Sequence, residues 1–586
     1  MISGKLSIGS ALAVVASCLL AQAAQVGSAA PGAGPGFVPF DPDYGAKARR
    51  VRIVSEKEAQ ALKAPSVLVR LPNNKLALEV RDTSGKLQPF YPVGLATGYW
   101  ARQAPTAADL EPTFTNIAKL GANTVMMGLH WKVIEPQQGK FDFAYTDMVA
   151  GVAKKHGLKI WWVFFMHAQP PNWPVANIAD FWVYHLDSHD GADYTIQWLK
   201  DDKGQVYRTI AENVKVHGEI FPAYSHPKVF PLVLRMLRTF GAHYKDSDTV
   251  IGIQLGNEEG FSAPDWRERP ATENWQANAN PVIQGLYEDW KLKTGKSDWY
   301  TFKLDTVNSW WTQFSAAYHE GDPYKLVSFN LWTGGPEAGY EWWIHQTGTD
   351  ALTYRKGNID VIGVMLHRPF NEQVWANLDH LYAYPYELPI LIPSEIGIDR
   401  TIGYFQQSAI GTIERGAQGY AVWSYTPNMI SKEGKMNDQG VSFKGLADMV
   451  KANLDVVHPG VPGPGDVAMQ TSEGFRVSQL HAAAGTVGIL YFPREYDIKL
   501  GTLDWDQVKA LGIWQASHPE SMFAGTFDVP VKVTAVKAGK YSIQVYKNGE
   551  PQAPSTETLQ ANETRTVTVP GITKSDVTFV RVKRLL

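Results

Sequence analysis

Residues 249–260 read TVIGIQLGNEEG, and residues 388–397 read LPILIPSEIG. In both stretches a short apolar run is followed by a glutamate, which is Glu258 in the first and Glu395 in the second. A continuous apolar run of this length is typical of a strand that is buried on both faces, as strands of parallel sheets are. The two stretches therefore predict two buried parallel strands, each with a carboxylate at its carboxyl end.

Similar apolar runs recur between residues 89 and 457, and stretches of helical pattern separate them. The predicted strands cover residues 91–96, 124–129, 159–166, 250–255, 326–331, 361–366, 390–393 and 417–423. The predicted helices cover residues 110–120, 147–156, 230–244, 306–319, 372–381 and 405–415. Eight strands that alternate with helices favour a (β/α)8 TIM barrel over a doubly wound sheet. We therefore predict an α/β chain whose catalytic barrel spans residues 89–457.

Two smaller β units flank the predicted barrel. Residues 51–88 predict a small β lead-in, which follows a flexible leader rich in Ala, Gly and Pro over residues 25–50. Residues 466–586 contain short alternating strands, and Asn548-Gly549 is a strong signal for a hairpin turn. We predict a C-terminal β-sandwich-like domain there, after the linker VPGPG at residues 461–465.

The first residues have the features of a targeting segment. Lys5 precedes a mostly apolar stretch over residues 6–20, and Ala21-Gln22-Ala23 matches a small-x-small cleavage site. We therefore predict a signal peptide over residues 1–24 and export to the periplasm or the cell exterior. The stretch VASC ends at Cys18, the single cysteine of the chain, and resembles a bacterial lipobox. A lipid anchor at Cys18 is thus the alternative to plain secretion.

Composition limits the classes of partner and cofactor. The formal net charge is −3, which gives neither a basic field for nucleic acid nor a polybasic patch for a membrane surface. Aromatic residues make up 12% of the chain, with 20 Trp, which fits a carbohydrate ligand, although a large barrel also buries many Trp. The sequence contains no nucleotide-binding motif, and we predict no cofactor.

Two long aromatic-rich interruptions separate strands three and four (residues 172–228) and strands four and five (residues 261–324). Both fall on the side of a barrel where active sites lie, so we predict that they wall a cleft. The first contains HLDSHDGAD at residues 185–193, whose spacing matches no zinc or EF-hand pattern. A solvated loop is the favoured interpretation of this stretch, and no metal site is predicted.

Glu258 and Glu395 are the candidates for catalysis. Strands four and seven of a barrel face each other across its mouth, and a retaining glycosidase needs two carboxyl groups about 5–5.5 Å apart. One protonates the leaving oxygen and the other attacks the anomeric carbon, while Asn257 can bind the sugar 2-hydroxyl. Two other interpretations stay open: Glu259 as the acid, and Glu395 as a structural carboxylate paired with Arg400.

Asn257-Glu258 on strand four and Glu395 on strand seven resemble the signature of the glycoside hydrolases of clan A. Residues 131–143, WKVIEPQQGKFDF, resemble the W-x-x-x-E-P-x-x-G-x-F-x-F segment of the β-galactosidases of glycoside hydrolase families 35 and 42. The resemblance covers residues 89–457 and implies that Glu258 is the acid/base and Glu395 the nucleophile. The Arg-x-Gly-Pro-Tyr segment of family 35 and the four-cysteine zinc cluster of some family 42 members are absent.

Candidates for sugar binding lie at the same rim. GAQGYAVWSYTP at residues 416–427 resembles the eighth strand of the clan, whose Trp forms the floor of the sugar subsite, and Trp423 takes that place. His130, His167 and His367 each end a predicted strand, where either a sugar contact or a satisfied core group is expected. Trp131 is a further candidate, whereas we interpret Glu135 as a structural group that fixes its loop.

We therefore expect a retaining exo-β-glycosidase, foremost a β-galactosidase, that acts on an oligosaccharide or polysaccharide. One alternative is an endo-acting glycanase of the same clan, for which the aromatic interruptions would build an open groove. The alternative from another class is a non-catalytic carbohydrate-binding protein on a degenerate barrel. The presence of both Glu258 and Glu395 argues against this last interpretation.

Overall fold

The computed structural model describes residues 37–46, 48–97, 105–136, 139–165, 208–210, 218–220, 224–227, 229–256, 281–332, 359–366, 386–397, 402–431, 433–471, 475–491, 525–573 and 575–585. Three predicted segments lie outside these ranges. They are the signal peptide over residues 1–24, which includes Cys18, the HLDSHDGAD stretch, and the helix over residues 372–381.

A four-stranded sheet precedes the barrel, as the sequence predicts. Its elements are β1 (Ile53–Ser55), helix α1 (Glu56–Ala61), β2 (Ser66–Arg70), β3 (Leu76–Arg81) and β4 (Leu87–Pro89). Ser55 starts the helix with a capping box, in which its hydroxyl accepts the N–H of Glu58 and the Glu58 carboxylate accepts the N–H of Ser55. Leu68 and Leu78 share one buried hydrophobic cluster with Leu326 and Val361, which start two barrel strands, so the sheet covers the amino-terminal end of the barrel.

The barrel itself has eight parallel staves, which confirms the predicted fold. Its strands are β5 (Val93–Ala96), β6 (Thr124–His130), β7 (Lys159–Phe165), β10 (Val250–Leu255), β11 (Leu326–Trp332), β12 (Val361–Leu366), β13 (Ile390–Leu391) with β14 (Glu395–Gly397), and β15 (Tyr420–Trp423). The strands β13 and β14 together form the seventh stave. Between β7 and β10, β8 (Arg208–Ile210) and β9 (Gly218–Ile220) pair with each other outside the barrel. Parallel pairing of β11 with β12 and of β15 with β5 closes the ring. Every stave overlaps a predicted strand.

Helices surround the staves. They are α2 (Ala107–Lys119), α3 (Trp131–Ile134), α4 (Ala144–Lys155), α5 (Val229–Tyr244), α6 (Pro281–Thr294), α7 (Trp299–Gly321), α8 (Ile402–Glu414), α9 (Asp438–Ala452) and α10 (Leu454–Val457), with a 3-10 turn at Pro427–Met429. Among the described parts of the chain, no helix is long and apolar enough to cross a membrane. The apolar faces of α2, α4 and α5 pack onto the barrel, as the buried side chains Phe114, Val149 and Phe240 illustrate.

The prediction that aromatic side chains of residues 261–324 wall a cleft is wrong for four of them. Trp290, Trp299, Trp310 and Trp311 are buried in the core between helices and barrel. The ring of Trp311 lies 4.8 Å from the ring of Phe329 on β11, centroid to centroid. Trp299, Trp310 and Trp311 belong to α7 and Trp290 to α6, and the inner faces of these helices need large side chains to fill the space against the barrel.

The N-terminal leader is attached to the barrel over its described part. The backbone N–H of Val38 donates to the carbonyl of Ser225, and the N–H of Phe40 donates to Asp289 of α6, at 2.8 Å. Phe37 lies against Gly285 on the same helix. The sequence predicts a flexible leader over residues 25–50, but its described part is held against α6 by Phe37 and Phe40.

The C-terminal domain is a β-sandwich, as predicted. One sheet contains β16 (Val461–Pro462), β18 (Arg476–Ala482), β19 (Gly485–Tyr491), β21 (Gly539–Lys547), β22 (Glu550–Pro551), β23 (Ser555–Leu559) and β25 (Thr578–Leu585), and the other contains β17 (Val467–Thr471), β20 (Phe527–Ala535) and β24 (Thr564–Ile572). Asn548 and Gly549 both have positive φ and join β21 to β22, as the hairpin signal predicts. The domain packs on α8 and α9, where Ser478 donates to Glu414 at 2.8 Å.

Candidate active site

Glu395 lies at the carboxyl end of the barrel, where parallel strands place their last residues on one rim. Its backbone pairs with Met365 near the end of β12, and Gly397 two residues later pairs with Trp423 at the end of β15. The Glu395 side chain is buried, with 6% of its surface exposed, and Trp423 is partly exposed. Strand seven thus places Glu395 in a buried position at the barrel mouth, next to strand eight, which ends at Trp423.

The local sequence explains how strand seven presents Glu395. Pro393 has no N–H and interrupts the regular strand, but its carbonyl accepts the N–H of Ala421, and Ser394 donates to Val364 at 3.1 Å. The stave therefore stays bonded on both sides up to Glu395. Close packing adds to this restraint, because a Cβ at Gly363 of the adjacent strand would lie 2.9 Å from the Ser394 Cβ.

Strand four ends at Leu255, and Gly256 follows it directly before the predicted Asn-Glu pair. Gly256 has φ +69°, which favours glycine, and its N–H donates to Phe164 at 2.8 Å. The amide of Gln254 donates to the Gly256 carbonyl at 3.0 Å and fixes this turn from inside the barrel. Asn257, Glu258 and Glu259 follow, and they lie outside the described residues.

The histidines predicted at the rim are described in part. His130 is the last residue of β6 and pairs with Phe165 of β7, but the structure describes its backbone alone. His167 and His367 lie outside the described residues, as does Arg400, the alternative partner of Glu395. Sugar contacts by these three histidines stay predictions.

Trp131 is placed differently from an open sugar platform. It lies directly after β6, is 1% exposed, and donates its indole N–H to Oε2 of Glu135 at 2.6 Å. Glu135 is itself buried and accepts the N–H of Gly139 at 2.6 Å through Oε1. Together these bonds hold a compact loop at the rim beside His130. In this arrangement the Trp131 ring is buried beneath the rim and supports it, and the ring has almost no exposed surface.

Two groups near Glu395 were not among the candidates from the sequence. Asn330 on strand five is buried and donates its amide to the Met365 sulfur at 3.2 Å. Met365 in turn is the residue paired with Glu395. A polar Asn within the apolar run LVSFNLW was the available signal, since a buried strand facing only core would not require it.

No group of three or more His, Cys, Asp or Glu able to hold a metal ion occurs among the residues that the structure describes.

Comparison with known proteins gives a partial match in sequence and several in fold. No protein-family model matches the chain. The β-galactosidase BbgII of Bifidobacterium bifidum is 26% identical over 178 residues, which are 29% of this chain and 22% of that protein. The matched part is therefore about a fifth of the length of that relative.

Three of the solved structures that the chain is similar to cover more than half of its length. The catalytic domain of β-amylase from Paenibacillus polymyxa has a TM-score of 0.45 at 10% identity, over 59% of this chain and 94% of that one. A glycoside hydrolase family 5 structure from Bacteroides vulgatus has a TM-score of 0.45 at 10% identity, over 88% and 94%. The β-galactosidase from Marinomonas ef1 has a TM-score of 0.41 at 13% identity, over 62% and 60%.

Proposed function

We propose that the chain is a retaining β-glycosidase whose preferred substrates are β-galactosides. The observation that carries the proposal is the position of Glu395, buried at the carboxyl rim on strand seven, which pairs with strand eight up to Trp423. Strand four ends at Leu255, three residues before Glu258 in the sequence, and strands four and seven of such a barrel face each other across its mouth. A pair of carboxylates across a barrel mouth suits double displacement at an anomeric carbon.

In the proposed mechanism Glu395 and Glu258 act in two steps. The Glu395 carboxylate attacks the anomeric carbon and forms a covalent glycosyl-enzyme, while Glu258 gives its proton to the departing glycosidic oxygen. Glu258, now ionised, takes a proton from water as the water oxygen attacks the anomeric carbon and releases Glu395. Asn257 binds the 2-hydroxyl, a contact that strengthens towards the transition state. The cycle ends with the β-anomer of the sugar and both glutamates restored.

The preference for galactosides is supported by two sequence similarities. The segment WKVIEPQQGKFDF resembles that of the β-galactosidases of families 35 and 42. A 26% identity to a bifidobacterial β-galactosidase over 178 residues points the same way. Trp423 is partly exposed at the rim, and its ring suits the apolar face of a pyranose.

A panel of nitrophenyl glycosides tests the proposal. The β-galactoside, β-glucoside, β-mannoside, β-xyloside and α-arabinoside are incubated with the native enzyme and with Glu395→Gln, whose fold is checked by circular dichroism. The proposal expects release from the β-galactoside by the native enzyme and none by the variant. Equal release by the variant would contradict the role of Glu395. Activity on polysaccharide alone, with products of several lengths, would replace the exo-galactosidase by an endo-acting glycanase.

A further inference from the structure

The loop after β6 is organised around one buried carboxylate. Glu135 has no exposed surface, and its two oxygens accept the indole N–H of Trp131 and the backbone N–H of Gly139, each at 2.6 Å. The N–H of Asp142 donates to the Ile134 carbonyl at 2.9 Å and closes the base of the loop. The described residues on both sides of this loop, 131–136 and 139–142, are therefore tied together through the Glu135 carboxylate.

Arg235 makes that buried charge tolerable. Arg235 lies on α5, which follows the first aromatic interruption in the sequence. Its guanidinium Nη2 donates to Oε1 of Glu135. The same guanidinium lies over the ring of Phe141, 5.8 Å from its centroid. A carboxylate without exposed surface needs an opposite charge and several hydrogen-bond donors, and Arg235 completes this set.

A second contact fastens the end of the loop to the same helix. The ring of Phe143 stacks on the ring of His243 with centroids 3.8 Å apart and planes 9° from parallel. His243 also contacts Asp147 of α4 through Nε2 at 2.8 Å. His243 follows Arg235 by about two helical turns, so α5 holds the loop at two points on one side.

We propose that Arg235 is a positioning residue for sugar binding, acting through Glu135 on Trp131 and on the backbone that follows His130. This role rests on the proposed glycosidase function. Helix α3 starts at Trp131, directly after the last residue of β6 at the rim, so a shift of the loop moves this wall of the barrel mouth. Glu395 lies on strand seven and Glu258 follows strand four in the sequence, and the loop belongs to neither strand. Loss of Arg235 therefore weakens substrate binding more than it slows the chemical step.

The test compares Arg235→Met and Arg235→Lys with the control Arg238→Met. Arg238 lies on the same helix, is 48% exposed and pairs with Glu320 at the surface. Steady-state kinetics on the glycoside that the native enzyme cleaves best give kcat and KM separately, and thermal unfolding is recorded for each variant. Arg235→Met is expected to raise KM about tenfold and to change kcat less than threefold. Arg235→Lys keeps the charge and is expected to recover part of the native KM, and Arg238→Met to leave both constants unchanged.

A merely structural role gives a different result. It lowers the unfolding temperature and the amount of active enzyme, but the folded fraction keeps the native KM, and that outcome would overturn the proposal. If Arg235→Met does not fold, the double variant Glu135→Gln with Arg235→Met removes the buried charge together with its partner, and the same rise in KM is expected. A native enzyme that cleaves no glycoside ends the proposed function and this role with it. An active native enzyme with unchanged KM in the variants ends the positioning role alone.

Discussion

Glu395 lies directly opposite Met365 in the parallel pairing of β14 with β12. The pairing places Glu395 level with the residue before the last of strand six, at the rim, where it is almost fully buried. The next residue towards the amino terminus, Ser394, lies against Gly363 of the same neighbouring strand. The position of the proposed nucleophile is thus set by the fit between two strands.

Replacing Gly363 by Ala is expected to impair catalysis. The new Cβ would lie 2.9 Å from Cβ and Oγ of Ser394 and 3.1 Å from the Phe329 carbonyl, so strand seven must move. A displacement of the order of an ångström at a reacting group costs roughly 100-fold in rate. We expect kcat to fall about 10- to 100-fold, measured with the best nitrophenyl glycoside.

Gly151→Ala is the matched control for that substitution. Gly151 lies in α4 on the surface, and a Cβ there would meet no atom within 4 Å. Alanine should stabilise the helix by about 0.5–1 kcal/mol and leave kcat unchanged. If Gly363→Ala also kept its native kcat, the fit between strands six and seven would not position Glu395.

Lys75→Met is expected to stabilise the protein at neutral and lower pH. Lys75 is 1% exposed, its Nζ donates to the Val457 carbonyl at 3.1 Å, and burial lowers its pKa to about 7. Between that value and the usual value of about 10.4, the unfolded chain binds a proton that the folded chain does not. Stability owed to Lys75 therefore rises with pH from about 7 to about 10 and is lowest below pH 7.

The measurement is the difference in unfolding temperature between the native protein and Lys75→Met at pH 6, 7.5 and 9. The variant should be the more stable at pH 6, and the difference should shrink as the pH rises, because neutral Lys75 costs little to bury. Lys57→Met, at an exposed position on α1, serves as the control. A difference that does not change with pH would show that Lys75 keeps an ordinary pKa in the folded state.

Asp360→Asn is expected to destabilise the amino-terminal end of the barrel. The Asp360 carboxylate accepts the N–H groups of Val51 and Val327 and contacts Nε2 of His319 at 2.8 Å. Nδ1 of His319 faces the Asp322 carbonyl at 2.9 Å, so both ring nitrogens donate when the ring is charged. Breaking one side of a buried pair costs about 3–5 kcal/mol, which should lower the unfolding temperature by several degrees.

Comparison with a surface pair isolates the effect of burial. Glu320→Ala removes the partner of Arg238, and an exposed pair is worth about 0–1 kcal/mol. The neighbouring charges raise the pKa of His319 despite its burial. The stability that the charged His319 contributes is therefore complete below about pH 6.5 and is lost as the pH rises through the raised pKa. Asp360→Asn should accordingly lower the free energy of unfolding most in mildly acidic solution. Equal costs for the two variants would contradict this account.

The staves of the barrel could be predicted because each is a short apolar run, and the runs at residues 250–255 and 361–366 match β10 and β12 residue for residue. Glu395 was found by the same signal, as the carboxylate that ends such a run. The role of Arg235 could not be predicted, since it pairs with a carboxylate in a distant part of the chain and the helix around it shows no unusual pattern.

Aromatic content and linker composition predicted the structure less well than the apolar runs did. A Trp-rich stretch does not say which side chains face inward, and Trp310 and Trp311 fill the core because α7 covers β11. The linker at residues 461–465 is rich in Pro and Gly, yet Val461 and Pro462 pair with β18 as a short edge strand. Proline is tolerated there because an edge strand leaves one row of N–H groups unpaired.

The most direct test of the central claim is to trap the covalent intermediate. A 2-deoxy-2-fluoro-β-galactoside with a good leaving group forms the glycosyl-enzyme faster than water can release it, because fluorine slows both steps and the leaving group restores the first. Proteolysis and mass spectrometry then locate the sugar. We predict a single adduct on the peptide that contains Glu395, absent in Glu395→Gln. A substrate that is hydrolysed with inversion of the anomeric centre, or an adduct on another carboxylate, would contradict the assignment of Glu395 as the nucleophile.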